Sequence, residues 1–134
     1  MTWARVYFFD EPTMHIAQIV SGLDVNGAVI HCLELCKQLT RRGHRVSLVC
    51  RPESWISRQL DGESVEILES TLKRRPAEIR RAGKWLRERG VDVVHTHMSS
   101  AHLFGVILKF TAGVKCVATA HNRKFQPHWL LNDR

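Results

Sequence analysis

The sequence predicts an α/β fold in which helices cover both faces of a doubly wound parallel sheet. Strand-like and helix-like segments alternate along the 134 residues, and several strand segments are apolar throughout. Continuously apolar strands are typical of parallel sheets that are buried on both faces. The length fits one domain. We predict that it spans residues 14–134, after an amino-terminal extension of residues 1–13.

Five short apolar segments predict the strands. They are His15–Val20, His44–Cys50, Val65–Leu68, Val91–His97 and Val114–His121. Three longer segments have apolar residues at helical spacing and end in glycine. These helices are predicted from Gly27 to Gly43, from Pro76 to Gly90 and from Ala101 to Gly113, with a helical turn over Trp55–Leu60. The apolar side of the first helix is predicted to be Ala28, Cys32, Leu35, Cys36 and Leu39.

Ligands bind beyond the carboxyl ends of the strands in sheets of this kind. Four loops are therefore predicted to hold the functional residues. They are Ser21–Gly27, Arg51–Ser54, His97–His102 and His121–Arg123.

The bend Ser21–Gly27 joins the first strand to the first helix. Amides at a helix start are unpaired and lie at the positive end of the helix dipole, which favours anions. Gly27 allows close approach of a ligand, and Asn26 tolerates a left-handed conformation. The spacing is not Gly-x-Gly-x-x-Gly, so a dinucleotide site is disfavoured. Two interpretations stay open: the glycines only form the turn, or the loop contacts a phosphate or sugar.

Histidines collect at the same predicted edge. His97 and His121 end strands, and His102 follows closely. Imidazole there can hydrogen-bond sugar hydroxyls, hold a phosphate or bind a metal. A metal needs three or four converging ligands, and no spacing requires these three to converge. His95 is predicted to be packed, and neither a nucleophile motif nor a carboxylate pair is present.

The net charge of +7 favours anionic partners. Much of it lies in the segment Lys73–Gly90, which is interpreted as a solvated helix face or as a patch for an acidic membrane surface. No recognition motif supports nucleic acid. The four cysteines lie in apolar segments and form no C-x-x-C pair, which favours buried thiols in a reducing compartment.

Three motifs resemble the amino-terminal domain of GT-B glycosyltransferases, specifically glycosyltransferase family 4. They are the glycine-bearing loop after HIAQIV, the strand DVVHTH and the strand end TAH. The resemblance runs from Met14 to about Asn132. It implies a Rossmann-like domain that faces a second domain across a cleft, so the chain would be an incomplete, amino-terminal half of the GT-B architecture.

The resemblance also implies an activity and the residues that serve it. Members transfer a sugar from a nucleotide-sugar donor with retention of configuration and without a metal or other cofactor. The resemblance assigns the donor phosphate and sugar loop to Asp24, Asn26, Gly27 and Ala28, and the catalytic contact with the donor sugar to His121. It assigns acceptor binding to His97, Ser99, Ser100, His102, Arg123 and Lys124.

The sequence thus predicts the acceptor-side domain of a hexosyltransferase in the synthesis of cell-envelope polysaccharide or lipopolysaccharide. The acceptor would be a glycan or a lipid-linked sugar, and the protein would be cytoplasmic, peripheral at the inner membrane. Many members have Gly-Gly where this chain has Asn26-Gly27. The family's carboxyl-terminal, donor-binding domain is missing, so these residues alone are expected to be inactive. The alternative is a non-catalytic Rossmann-like module that binds an anionic ligand, a membrane surface or a partner chain.

Overall fold

The computed structural model describes residues 13–120, which form one parallel sheet covered by helices. The strands are β1 (His15–Val20), β2 (Arg45–Cys50), β3 (Val65–Glu69), β4 (Val93–His97) and β5 (Lys115–Thr119). The helices are α1 (Gly27–Arg41), α2 (Trp55–Gln59), α3 (Pro76–Glu88) and α4 (Ser99–Ala112). The predicted α/β class is confirmed. Among the element starts, β4 begins two residues later than predicted and α4 begins two residues earlier.

The strand order is β3-β2-β1-β4-β5, and every neighbouring pair is parallel. β1 is central, and the chain moves outward from it first through β2 and β3 and then, on the other side, through β4 and β5. The order therefore reverses between β1 and β4. In open α/β sheets this reversal opens a crevice at the carboxyl edge.

Each face of the sheet carries a buried apolar cluster. One cluster joins the sheet to α3 and α4 and includes Leu86, Phe104 and Leu108. The other joins the opposite face to α1 and α2 and includes Val29, Cys36 and Ile56. This arrangement explains the apolar strands, because residues of both parities along β1 and β2 are buried.

The buried side of α1 differs from the predicted one. Its buried residues are Val29, Cys32, Leu33 and Cys36, whereas Ala28 and Leu35 are only half-buried. The stripe that begins at Val29 faces the sheet, and Gly22 lies close against Val29. The predicted stripe that begins at Ala28 and the observed one that begins at Val29 share Cys32 and Cys36, so the periodicity alone could not distinguish them.

The two edges of the sheet use different residues in their turns. At the amino edge, glycine takes positive φ at every strand entry from β2 onward: Gly43, Gly62, Gly90 and Gly113. At the carboxyl edge, positive φ falls on Glu53, Leu72 and Met98, after β2, β3 and β4. A side chain in this conformation is strained, and strain of this kind collects at functional sites. At the carboxyl edge, residues other than glycine therefore occupy the strained positions.

Gly105 allows α4 to lie directly on β4 and β5. A Cβ atom at this position would lie 2.5 Å from Thr96 Cγ2 and 3.0 Å from Cys116 Sγ. Both neighbours are short side chains on strands, so neither can swing away. Gly83 in α3 is looser, since its Cβ would lie 3.2 Å from the Cβ of Ala112.

Replacing Gly105 by alanine is expected to lower the free energy of unfolding by about 1–3 kcal/mol, because the added methyl group overpacks the α4 interface. The matched change Gly83→Ala should be near neutral, since a gain in helix propensity of roughly 0.5–1 kcal/mol offsets its milder contact. Urea unfolding measures both values. Equal effects at the two positions would contradict the close approach of α4 to the sheet.

Candidate functional site

The start of α1 is open to solvent at the carboxyl edge. Asn26 has extended backbone, with φ −154°, and its Oδ1 accepts a hydrogen bond of 3.0 Å from the amide of Val29. It is thus the N-cap, and it does not adopt the left-handed conformation that asparagine tolerates. Within residues 13–120 the amides of Gly27 and Ala28 have no hydrogen-bond acceptor. Asp24, Asn26 and Gly27 are exposed, so the loop presents two free N–H groups at the positive end of the helix dipole.

The two glycines of the bend have different roles. A Cβ atom at Gly22 would lie 2.7 Å from Val29 Cγ2 and 3.1 Å from Met98 Sδ, so glycine is required there for packing. A Cβ atom at Gly27 would have no atom of residues 13–120 within 4 Å, and Gly27 is not among the glycines with positive φ. Neither packing nor backbone conformation requires glycine at position 27. Open space over two free amides is the arrangement that an approaching anion needs.

The start of α4 lies at the same edge, one strand away. Met98 precedes the helix with φ 77°, and no side chain caps the first turn. Ser99 and Ser100 are exposed in that turn. Because β1 and β4 are neighbours, the starts of α1 and α4 flank the point where the strand order reverses.

His97 lies beneath this edge and is fully buried. Its Nε2 donates a hydrogen bond of 2.6 Å to Oε1 of the buried Gln18. The ring of His95 is 4.3 Å from that of His97, and the ring of His31 is 5.8 Å away. These side chains lie on the α1 face of the sheet. The predicted role of His97 in acceptor binding stays a prediction, and its burial places it in a supporting layer.

His102 is half-buried and points toward the other face of the sheet. Its Nδ1 lies 2.8 Å from Thr96 Oγ1, on the side covered by α4. His97 and His102 therefore make these hydrogen bonds on opposite faces. Among residues 13–120, no three His, Cys, Asp or Glu side chains are grouped as metal ligands. His121, Arg123 and Lys124 lie outside the described residues, so their predicted roles stay predictions.

The cysteines are not placed for nucleophilic chemistry. Burial raises the pKa of Cys50 to about 11. The pKa of Cys32 is raised by its hydrogen bond with Cys36 and by burial, and burial also raises the pKa of Cys116. These thiols stay protonated at neutral pH, and protonated thiols are poor nucleophiles.

A pocket of about 310 Å³ lies on the carboxyl edge beside the start of α4. Its polar lining residues are Ser21, Arg51, Thr71, Lys73, Arg74 and Ser100. The sequence interpretation placed Lys73 and Arg74 with the basic helix. The helix begins only at Pro76, so both residues belong to the loop after β3. The helix start predicted at Pro76 is confirmed, but the charge run Lys73–Gly90 was interpreted as one surface across that boundary.

The five basic residues between Pro76 and Gly90 divide into two groups. Arg81, Lys84 and Arg89 form ion pairs with Glu78, Glu88 and Glu66, and Arg89 also lies over the Trp85 ring. The hydrogen bond from Arg89 is the main cause of the lowered pKa of Glu66. Arg80 and Arg87 are exposed and have no such partner in the described residues. In the same range, no helix combines the length and apolarity needed to cross a membrane.

The family follows from a comparison of the whole sequence. The sequence profile of Glycosyltransferase Family 4 matches residues 25–134. The chain belongs to glycosyltransferase family 4. The matched residues include the start of α1, the start of α4 and every residue that lines the pocket except Ser21.

Several solved structures with similar folds are glycosyltransferases. MurG from Acinetobacter baumannii aligns with a TM-score of 0.70 and 18% identity over 90% of this chain. A glycosyltransferase from Rickettsia africae aligns with a TM-score of 0.71 and 23% identity over 92%. HepE from Anabaena, in complex with UDP, aligns with a TM-score of 0.66 and 17% identity over 86%. At these identities the likeness establishes the fold, which is Rossmann-like and matches one part of a GT-B enzyme.

The family 4 chain spans only part of the length of these structures. The alignments cover 39% of MurG, 34% of the Rickettsia protein and 31% of HepE. No functionally curated protein matches the chain.

Proposed function

We propose that the chain is the acceptor-side domain of a retaining glycosyltransferase that uses a nucleotide-sugar donor. The observation that carries the proposal is the open start of α1, where the free amides of Gly27 and Ala28 lie beside the reversal of strand order. HepE, one of the structural neighbours, was solved with UDP, with UDP and glucose, and with UDP-glucose. A diphosphate is an anion of the kind that a helix start binds.

In this proposal the donor approaches Asp24, Asn26, Gly27 and Ala28 from across an inter-domain cleft, and His121 contacts the donor sugar. Ser99, Ser100 and His102 serve the acceptor side, and His97 with Gln18 supports the edge from below. No metal is required, because the amides and the helix dipole supply the positive potential. The carboxyl-terminal domain of the fold would complete the cleft, so these residues alone would transfer no sugar.

The proposed setting is the synthesis of a cell-envelope glycan at the inner face of a membrane, with a hexose as the transferred sugar. The net charge of +7 and the exposed, unpaired Arg80 and Arg87 support attraction to an anionic surface. A non-catalytic anion-binding module is the competing function, and sugar transfer that is restored when a carboxyl-terminal domain is added would exclude it.

UDP-glucose added to the isotope-labelled chain is expected to shift the amide signals of Asn26, Gly27 and Ala28, because these groups would face the diphosphate. Signals from Gly43 and Gly90, at the amino edge, should not move. Glucose alone serves as the control. Absence of shifts at the start of α1 would contradict the proposed donor loop, and sugar transfer by the 134 residues alone, abolished in His121→Ala, would contradict the need for a second domain.

A further inference from the structure

The pocket beside α4 is distinct from the start of α1. Residues 26–28 do not line it, whereas the loops after β2 and β3 do. It combines the exposed cations Arg51, Lys73 and Arg74 with the hydroxyl groups of Ser21, Thr71 and Ser100. Leu72 and Leu103 form its apolar part. Cations and hydroxyl donors in one concavity are the groups that bind phosphate oxygens.

Among the residues that the structure describes, no carboxylate neutralises the cations of the pocket. No Asp or Glu lines the pocket, and none of the three cations forms an ion pair within residues 13–120. By contrast, Arg81, Lys84 and Arg89 on the nearby helix segment are paired with glutamates. Three converging positive charges repel one another unless an anion lies between them. The pocket is therefore complementary to a group with more than one negative charge.

The loop that carries Thr71, Lys73 and Arg74 is held in a fixed shape. Ser70 Oγ donates a hydrogen bond of 2.8 Å to Glu78 Oε2 and accepts one of 3.1 Å from the amide of Leu72. Leu72 is buried, and its backbone has φ 58°. Hydrogen bonds from Arg81 and then Ser70 lower the pKa of Glu78, so its carboxylate stays charged at neutral pH. These hydrogen bonds hold the strained loop in one conformation, so its cations are preorganised for binding.

We infer that this pocket binds a phosphate group of the acceptor. The inference rests on the proposed function, which supplies the acceptor, and it adds the acceptor's chemical class: a sugar phosphate or a lipid-linked sugar phosphate. A volume of about 310 Å³ lies at the lower end of the range for ligand sites and suits a phosphate with one attached sugar. The start of α1 stays available for the donor, so donor and acceptor phosphates have separate sites on one edge.

Titration of the isotope-labelled chain with glucose 1-phosphate tests the inference. Amide signals of Thr71, Leu72, Lys73 and Arg74 are expected to shift, and glucose at the same concentration should leave them unchanged. The double variant Lys73→Ala/Arg74→Ala should raise the dissociation constant by roughly tenfold or more, since charge-assisted hydrogen bonds are lost. Both side chains are exposed, so the fold should survive, and circular dichroism checks this.

The matched control is Arg80→Ala/Arg87→Ala, which removes the same charge from the exposed face of α3. It should leave the dissociation constant within about twofold of the original value, because surface charges at a distance are screened by salt. Equal weakening by both double variants would overturn the inference in favour of attraction by net charge. The inference would also be overturned if the amide signals of the loop after β3 do not shift.

Two further measurements distinguish a lipid-linked phosphate from a free sugar phosphate. They also distinguish the pocket proposal from the proposed donor loop. Cosedimentation with phosphatidylcholine vesicles that contain phosphatidic acid, weakened more strongly by Lys73→Ala/Arg74→Ala than by Arg80→Ala/Arg87→Ala, supports a lipid-linked acceptor. Binding of soluble glucose 1-phosphate alone supports a free sugar phosphate. The absence of binding to both probes overturns the inference. If glucose 1-phosphate binds to this pocket but UDP-glucose does not shift the amide signal of Gly27, the proposed donor loop is contradicted. The phosphate site in the pocket would then still stand.

Discussion

Replacing Phe104 by alanine is expected to lower the free energy of unfolding by about 3–5 kcal/mol. Phe104 is fully buried in the cluster that joins α4 to the sheet, together with Leu86, Val94 and Leu108. Removing the ring leaves a cavity that β4 and α3 cannot close, because both are fixed by other contacts. A loss of this size is a large share of the stability of a small domain. Urea unfolding followed by circular dichroism measures it.

Phe110 provides the matched control on the same helix. Its side chain is 80% exposed, so Phe110→Ala should change the free energy of unfolding by no more than about 0.5 kcal/mol. If the two substitutions have similar effects, the face of α4 that packs on the sheet has been assigned incorrectly. The positions of Ser99, Ser100 and His102 at the carboxyl edge would then be wrong as well.

Replacing Gly27 by valine is expected to weaken UDP-glucose binding by roughly tenfold to a hundredfold without reducing stability. A Cβ atom at this position would have no atom of residues 13–120 within 4 Å, so the new side chain begins in open space. It would, however, stand over the free amides of Gly27 and Ala28, and hydrogen bonds to a charged phosphate are worth about 1.5–3 kcal/mol. The shifts of the amide signals during a titration with UDP-glucose give the dissociation constant, and thermal unfolding gives the stability.

The contrasting variant is Gly22→Ala, in the same bend. Its added Cβ would clash with Val29 Cγ2 at 2.7 Å, so it should lower the stability. If Gly27→Val also unfolds the chain, glycine at position 27 has a structural role. If Gly27→Val is stable and binds UDP-glucose normally, the start of α1 is not the donor loop.

The sequence was sufficient to predict the sheet, because that prediction depends on patterns that packing enforces. Apolar strands, glycines after helices and alternation of elements all follow from burying both faces of a parallel sheet. The glycines at positions 43, 90 and 113 do take positive φ, as expected for helix ends. Once the strands were known to be parallel, the carboxyl edge and its four loops followed from topology alone.

The roles of single residues in those loops could not be predicted, because they depend on contacts between distant parts of the chain. Gly22 and Gly27 look equivalent in the sequence, and only the positions of Val29 and Met98 separate them. His97 ends a strand and was expected to line the site, but its pairing with Gln18, far away in sequence, buries it. Side chains at strand ends can face either edge or core, and periodicity does not decide which.

The basic pocket also could not be predicted from the sequence. Lys73 and Arg74 belong to a run of positive charge that continues along α3, so composition assigned them to a helix face. The bridge of Ser70 and Glu78, with Leu72 in a left-handed conformation, turns these two cations toward Arg51. No local pattern predicts positive φ at a leucine, because the conformation is imposed by the surrounding contacts.

The central claim is that the open start of α1 binds the phosphates of a nucleotide sugar. A crystal structure of the chain grown with UDP-glucose tests it most directly. The account predicts that diphosphate oxygens lie within hydrogen-bond distance of the amides of Gly27 and Ala28, beside the reversal of strand order between β1 and β4. Nucleotide bound at another surface of the chain, with those amides in contact only with water, would contradict it.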